Sequence, residues 1–135
     1  MKRVWRVVAL GLFGITLILS VGCSASGKYE GDASTFVFVM IPESIWPVAR
    51  GEKYEDPIHT ALQQDGLGEV TGGGSQVGPP GSDGEPTIEW VGIDIELFDL
   101  PRGLALLRSE LKRIGAPAGT TFEYEHDGKR VSESL

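Results

Sequence analysis

Residues 90–117 read WVGIDIELFDLPRGLALLRSELKRIGAP, and this stretch decides the fold because it holds a strand followed directly by a helix. Between residues 91 and 98, branched apolar residues alternate with Gly, Asp, Glu and Phe. That period of two predicts a strand with one apolar face and one largely polar face. After Asp99, apolar residues recur at spacings of three and four, which predicts a helix lying on a core, beginning near Pro101 and ending at Gly115.

Two further elements are predicted upstream. The nearly continuous apolar run Thr35–Ile41 predicts a central strand that is buried on both faces or nearly so. A loop is predicted from Glu43 to Glu55. Asp56 and Pro57 then fit the N-cap and first position of a short helix, which Gly66 ends.

The middle of the chain is rich in glycine. A second strand, predicted over Glu69–Thr71, runs into the triple glycine 72–74. That triplet is not followed by a helix and lacks the Lys of a phosphate-binding loop, so it predicts a bulge or tight bend. Segment 78–86 has too much Gly and Pro for regular structure and is predicted to be a mobile loop.

The chain ends with another alternating segment over residues 121–125. Asp127 and Gly128 then predict a hairpin turn, with a short returning edge at 129–131. The complete order is strand, helix, strand, strand, helix, strand. It predicts an α+β fold, the ferredoxin-like βαββαβ sandwich, with an antiparallel sheet, two helices on one face and the other face open.

The N-terminus has the pattern of a secretory signal. Three basic residues precede an apolar run at 7–22, and Cys23, the only cysteine, follows it. The sequence Leu19–Cys23 resembles the lipobox of bacterial lipoproteins. The resemblance implies cleavage before Cys23 and lipidation of that residue, by palmitate among other chains. An uncleaved anchor is the alternative, although the run is shorter than the roughly 20 residues that span a bilayer.

This resemblance implies a division of the chain. Residues 1–22 would be a helical signal peptide, residues 23–34 a flexible tether and residues 35–133 a single α+β domain. The expected partner is a membrane, reached through the lipid on Cys23. The expected location is the cell envelope, at the outer membrane or facing the periplasm if the cell is Gram-negative.

The charge distribution limits the partners. All 19 acidic residues follow Cys23 whereas three of the 12 basic ones precede it, so the chain from Cys23 onward has a formal charge of −10. Nucleic acid is therefore not an expected partner, because its phosphates require a basic face. A basic protein is the partner that this charge would favour.

Candidate chemistry is sparse. His59 and His126 have no metal-ligand spacing and are expected to have surface roles. Trp46 is expected to cap one end of the core, with an exposed anchor for a partner as the alternative. No catalytic, metal or cofactor site is predicted.

If both apolar stripes face the helices, the open sheet face gains five residues that form either a partner-binding surface or a merely solvated face: Trp90, Asp94, Glu96, Glu123 and Glu125.

Residues 52–128 also resemble small bacterial domains of no assigned function. The resemblance lies in the glycine-rich segment Gly66–Ser75, the strand Gly92–Ile95 and the helix Gly103–Arg108. It implies no activity and no site.

Three functions are compatible with the sequence. The favoured one is an envelope-anchored, non-enzymatic lipoprotein whose acidic domain binds a protein, for example as an immunity-type protein against a basic toxin. The alternative is an envelope module that binds a small ligand or a divalent cation. A small hydrolase has the least support, because no nucleophile–base spacing is present.

Overall fold

The structure, a computed structural model, describes residues 34–135, in which helices pack on one side of an antiparallel sheet. The strands are β1 (Thr35–Ile41), β2 (Gly68–Gly78), β3 (Thr87–Leu97), β4 (Thr121–His126) and β5 (Lys129–Ser134). The helical elements are α1 (Pro47–Arg50), a π-helical turn (Gly51–Glu55), α2 (Asp56–Asp65) and α3 (Leu100–Ile114).

The sheet has the strand order β2-β3-β1-β4-β5, and every neighbouring pair is antiparallel. Strand β3 therefore lies between β1 and β2, which is the split βαβ arrangement of the ferredoxin-like fold. The predicted fold class is confirmed. The returning edge is longer than predicted and forms a complete fifth strand, joined to β4 through Asp127 and Gly128, which both have positive φ.

The core lies between the sheet and the helices. From β1 it takes Val37, Val39 and Ile41, which are fully buried, and from β3 it takes the isoleucines and leucine of the predicted alternating stripe. Helix α3 comes close to the sheet because Gly103 has no side chain. A Cβ at that position would lie 2.7 Å from the nearest side-chain carbon of Leu97.

Helix α3 begins and ends where its sequence predicts. Asp99 is its N-cap, and the carboxylate accepts a hydrogen bond from the Arg102 amide at 3.1 Å. Gly115 ends the helix with a φ of 84°, a left-handed conformation that glycine adopts without steric cost.

The prediction that β1 is buried on both faces is wrong. Only alternate residues of β1 are buried, and Phe36 on the other face is 49% exposed. The reason is that the helices all lie on one side of the sheet, so a central strand has solvent on its second face. The apolar run of β1 is therefore one core stripe interleaved with a stripe of surface aromatics.

The predicted loop over 43–55 is also largely wrong, because the chain is helical from Pro47 onward. The predicted start of α2 is one residue late, since Asp56 is its first residue and Pro57 its second. Helix α2 follows a π-helical turn in which the Asp56 amide reaches back to the carbonyl of Gly51. Such a turn suits the position before a proline, since proline has no amide proton to donate. The helix ends at Gly66 as predicted, with a φ of 63°.

Trp46 does not cap the core: it precedes α1 and is 59% exposed. The second strand extends well beyond its predicted end and includes all three glycines of 72–74. The three glycines, which were predicted to form a bulge or bend, pair regularly with β3, and the register shift lies just before them, between Val70 and Gly72.

The predicted signal helix, the lipidated Cys23 and all of the tether except Ser34 lie outside the described residues. Within 34–135, no helix is both long enough and apolar enough to cross a bilayer.

Candidate ligand-binding face

The sheet surface away from the helices, here called the open face, has aromatic side chains along its centre. Strand β1 places Phe36, Phe38 and Met40 there, alternating with the buried residues of the core. In the strand register, Phe38 lies between Asp94 on β3 and Glu123 on β4. Adjacent strands are about 4.8 Å apart, so each carboxylate-bearing residue is an immediate neighbour of the ring.

Two residues earlier the arrangement is partial. Phe36 pairs with Glu96 of β3, but the pairing of β1 with β4 ends at Val37 and Tyr124, one residue before Phe36 and Glu125. The open face therefore has carboxylate-bearing residues on both sides of Phe38 and on one side of Phe36 in the register.

Gly92 explains how the centre of the face is packed. A Cβ on Gly92 would lie 2.5 Å from the nearest ring carbon of Phe38 and 3.5 Å from the ring of Trp90. The absence of that side chain lets the Phe38 ring extend across β3. There it meets Trp90 edge to face, with ring centroids 6.1 Å apart at 78°.

At one end of the open face, β1 and the β4–β5 hairpin enclose a groove of about 740 Å³. Its size is within the usual range of small-molecule sites, about 300–1,000 Å³. The groove is lined by Ser34, Thr35, Phe36, Phe38, Glu123, Tyr124, Glu125, Asp127, Gly128 and Arg130.

The carboxylates of the open face are mostly uncompensated. The ion pair formed there joins Arg130 to Glu123, whose Nη2 and Oε2 atoms are 3.3 Å apart. Within residues 34–135, no basic side chain pairs with Asp94, Glu96 or Glu125. The same residues contain no group of three or more His, Cys, Asp or Glu side chains placed to hold a metal ion. The face therefore has negative potential beside apolar rings, without the convergent ligands that a metal requires.

A second polar cluster, at the end of β1, is structural in character. Glu43 accepts hydrogen bonds from Lys53 at 2.6 Å and from the Tyr54 hydroxyl at 2.5 Å. Burial opposes ionisation of Glu43, but these hydrogen bonds outweigh it and lower its pKa. Burial and the bond to Glu43 raise the pKa of Tyr54. The cluster thus holds a carboxylate as a fixed acceptor for the hydroxyl of a core tyrosine.

The triple glycine also has a structural role. Arg50 forms an ion pair with Glu55 and donates to the Ser75 hydroxyl at 3.1 Å. A Cβ on Gly73 would lie 2.6 Å from the Glu55 Oε1 atom and 2.7 Å from the Gly92 carbonyl oxygen. Gly73 is therefore needed because the ion pair lies directly against the strand.

The two histidines differ. His126 is exposed, as expected, beside Asp127. His59 is half-buried, and its Nδ1 atom accepts a hydrogen bond from the Val70 amide at 3.2 Å. The expectation of a surface role is therefore wrong for His59, which links α2 to the bulged part of β2.

The structure places the five sequence-predicted residues of the open face on one surface. It also places Phe36 and Phe38 on that surface. The sequence prediction missed Phe36 and Phe38, because their apolar character was assigned to the core. The signal was present: Val37, Val39 and Ile41 already form a complete core stripe at a period of two.

The fold belongs to the ferredoxin-like class of α+β proteins. No protein-family model matches the chain, and no curated protein matches it either. Among solved structures, a phage SAM lyase in complex with S-methyl-5'-thioadenosine is similar to it, with a TM-score of 0.47 and 10% sequence identity. The similarity covers 78% of this chain and 92% of that one.

The predicted function, a domain that binds a basic protein, is contradicted by this comparison, since the similar structure is that of an enzyme. At this similarity the phage lyase assigns neither an activity nor a substrate to this chain.

Proposed function

We propose that the open face binds a small organic cation with an apolar or aromatic body, seated in the groove beside Phe36 and Phe38. The observation that supports this is the strand register, in which Phe38 pairs with Asp94 on one side and Glu123 on the other, and Phe36 pairs with Glu96. An aromatic face attracts a cation by its quadrupole, worth about 0.5–1 kcal/mol at an exposed site and about 2 kcal/mol when water is excluded. The flanking carboxylates add charge attraction from both sides.

The chemistry of the groove favours this ligand class over two others. An anion would be repelled by Glu123, Glu125 and Asp127. A divalent metal ion would need several oxygen ligands converging on one point. Residues of neighbouring strands on a sheet instead project side by side, about 4.8 Å apart, which suits a ligand that lies flat on the face.

Three matched probes test the proposal by separating charge from shape: benzyltrimethylammonium, tetramethylammonium and benzyl alcohol. Each is titrated into the isotopically labelled full chain, and amide chemical shifts are followed by NMR. We expect benzyltrimethylammonium to bind with a dissociation constant of the order of 1 mM, about −4 kcal/mol. The other two should bind more weakly, because each supplies only half of the interaction. The shifts should concentrate at residues 35–38 and 123–130.

Two variants locate the site, and a third is a control. Phe36→Leu removes an exposed ring, and Glu125→Gln removes a carboxylate that has no ion pair in the described structure. Each should weaken benzyltrimethylammonium binding about two- to five-fold, the equivalent of 0.5–1 kcal/mol. Glu85→Gln makes the same charge change in the exposed 79–86 loop and should leave binding unchanged. Equal affinity for all three probes, or equal loss in all three variants, would exclude the groove as a cation site.

We also propose that Cys23 is lipidated and anchors the chain at the cell envelope. The support is the sequence alone: a basic start, an apolar run and a Gly-Cys junction. Several acyl chains on one residue would give stable anchoring, which a single chain does not. Mass spectrometry of the N-terminus from a bacterial membrane fraction is the test, with Cys23→Ser as the control. An unprocessed Met1 terminus would refute the proposal.

A further inference from the structure

We infer that the ligand of the groove is a zwitterion, an amino acid or amino-acid-like molecule with an apolar side chain, and that Arg130 selects its carboxylate. This inference rests on the cation-binding function proposed above, and it adds a negatively charged carboxylate to the cationic ligand. The observation behind it is a guanidinium in the lining of a groove that is otherwise acidic.

Arg130 is available to a ligand. Its side chain is 83% exposed, and its contact in the structure is with one oxygen of Glu123 at 3.3 Å. A guanidinium has five N–H donors in a planar fork that matches a carboxylate. A single contact at that distance, on a side chain that is mostly exposed, leaves most of these donors accessible to a ligand.

The order of groups across the strands fits the ligand. Phe36 on β1, Glu125 on β4 and Arg130 on β5 all line the groove, and Glu125 and Arg130 are directly paired. They present an apolar ring, an anion and a cation at successive steps of about 4.8 Å. An amino acid presents the complementary series: an apolar side chain, an ammonium group and a carboxylate.

Arg130 also discriminates between the two ligand types. Toward a simple cation it is unfavourable, because it repels the ligand and occupies Glu123. Toward a zwitterion it is favourable, because the ligand carboxylate replaces part of the contact with Glu123. The same residue should therefore change the affinity for the two ligands in opposite directions.

L-Phenylalanine and L-phenylalaninamide are the probes, because they share a benzyl group and an ammonium group and differ in the carboxylate. Both are titrated into the full chain and into Arg130→Gln, again by NMR. Phenylalanine should lose about two- to five-fold in affinity in Arg130→Gln, the range of an exposed ion pair, while phenylalaninamide should keep or gain affinity. Lys129→Gln is the charge-matched control: its side chain lies on the opposite face of β5, and neither affinity should change with it.

The outcomes separate the two proposals. If neither probe binds the native chain and benzyltrimethylammonium does not bind either, the cation site itself is wrong. If both probes bind but Arg130→Gln shifts them in the same direction or not at all, the cation site stands and the role of Arg130 is refuted.

Discussion

Replacing Gly73 with alanine should destabilise the domain, whereas the same change one residue later should not. The Cβ of Ala at position 73 would lie 2.6 Å from Glu55 Oε1, 2.7 Å from the Gly92 carbonyl and 3.2 Å from Arg50 Nε. The carboxylate can move, but the Gly92 carbonyl belongs to the neighbouring strand backbone. Forcing an extra methyl group into such a contact costs about 1–3 kcal/mol.

Gly74 is the internal control, because a Cβ there would meet nothing within 4 Å. Gly74→Ala should leave the free energy of unfolding unchanged or raise it by up to about 1 kcal/mol, since alanine restricts the unfolded chain. Gly73→Ala should therefore lower the free energy of unfolding, whereas Gly74→Ala should leave it unchanged or raise it, although both add a methyl group to the same triple glycine.

Urea unfolding, followed by circular dichroism at one pH, measures both variants against the native chain. The midpoint for Gly73→Ala should fall with little change in slope, and its melting temperature should drop by about 4–8 °C per kcal/mol for a domain of this size. If the free energy of unfolding falls by less than about 0.5 kcal/mol for Gly73→Ala, or by an equal amount for Gly74→Ala, the ion pair of Arg50 and Glu55 does not pack against β2 at Gly73.

Two further predictions concern polar contacts. Tyr54→Phe removes the hydroxyl bond to Glu43 and should cost about 1 kcal/mol at pH 7, since the carboxylate keeps its bond to Lys53. Because the folded state lowers the pKa of Glu43, this stabilisation is complete above its ordinary pKa of 4.5 and is lost as the pH falls through the lowered value, so the difference in unfolding free energy between the native chain and Tyr54→Phe should narrow as the pH falls below 4.5. A difference that does not change with pH would contradict this. Asp99→Ala should cost about 1 kcal/mol through loss of the cap on the Arg102 amide, measured by urea unfolding, and Asp99→Asn should retain most of that stability; equal losses in the two variants would argue against capping.

The fold was predictable because its strongest signals are local. The alternation through Val91–Leu97 and the leucine spacing of α3 both reflect burial against a single layer, and burial leaves a clear period in the sequence. The region 43–55 was not predictable from such rules. Its helix continues through a π-helical turn, and Pro57 resembles a helix start when only its neighbours are considered.

The candidate site was predictable only in part, for a related reason. The carboxylates of the open face stand out because they interrupt apolar strands. Phe36 and Phe38 do not stand out by residue type, because an aromatic residue on a surface and one in a core have the same identity in a sequence. What distinguishes them is their position: Val37, Val39 and Ile41 fill the covered side of β1, so a sheet with one open face leaves the two rings on its surface.

The two glycines Gly73 and Gly92 show how the sheet serves two purposes at once. Toward the helices, Gly73 leaves room for the ion pair of Arg50 that joins the helical segment to β2. Toward solvent, Gly92 leaves room for the ring of Phe38. The first contact contributes to stability and the second shapes the open face.

Stability and ligand binding should therefore be separable on this sheet. Phe36 is half exposed, so its replacement by leucine removes little buried area, and the core stripe of β1 on the opposite face remains intact. A contiguous aromatic surface on a small domain is itself a sign of interaction, because folding alone gains little from it. The helix face, with its ion pair and its close-packed Gly103, accounts for the fold. The proposed ligand would account for the rings and carboxylates of the open face, to which folding gives no role.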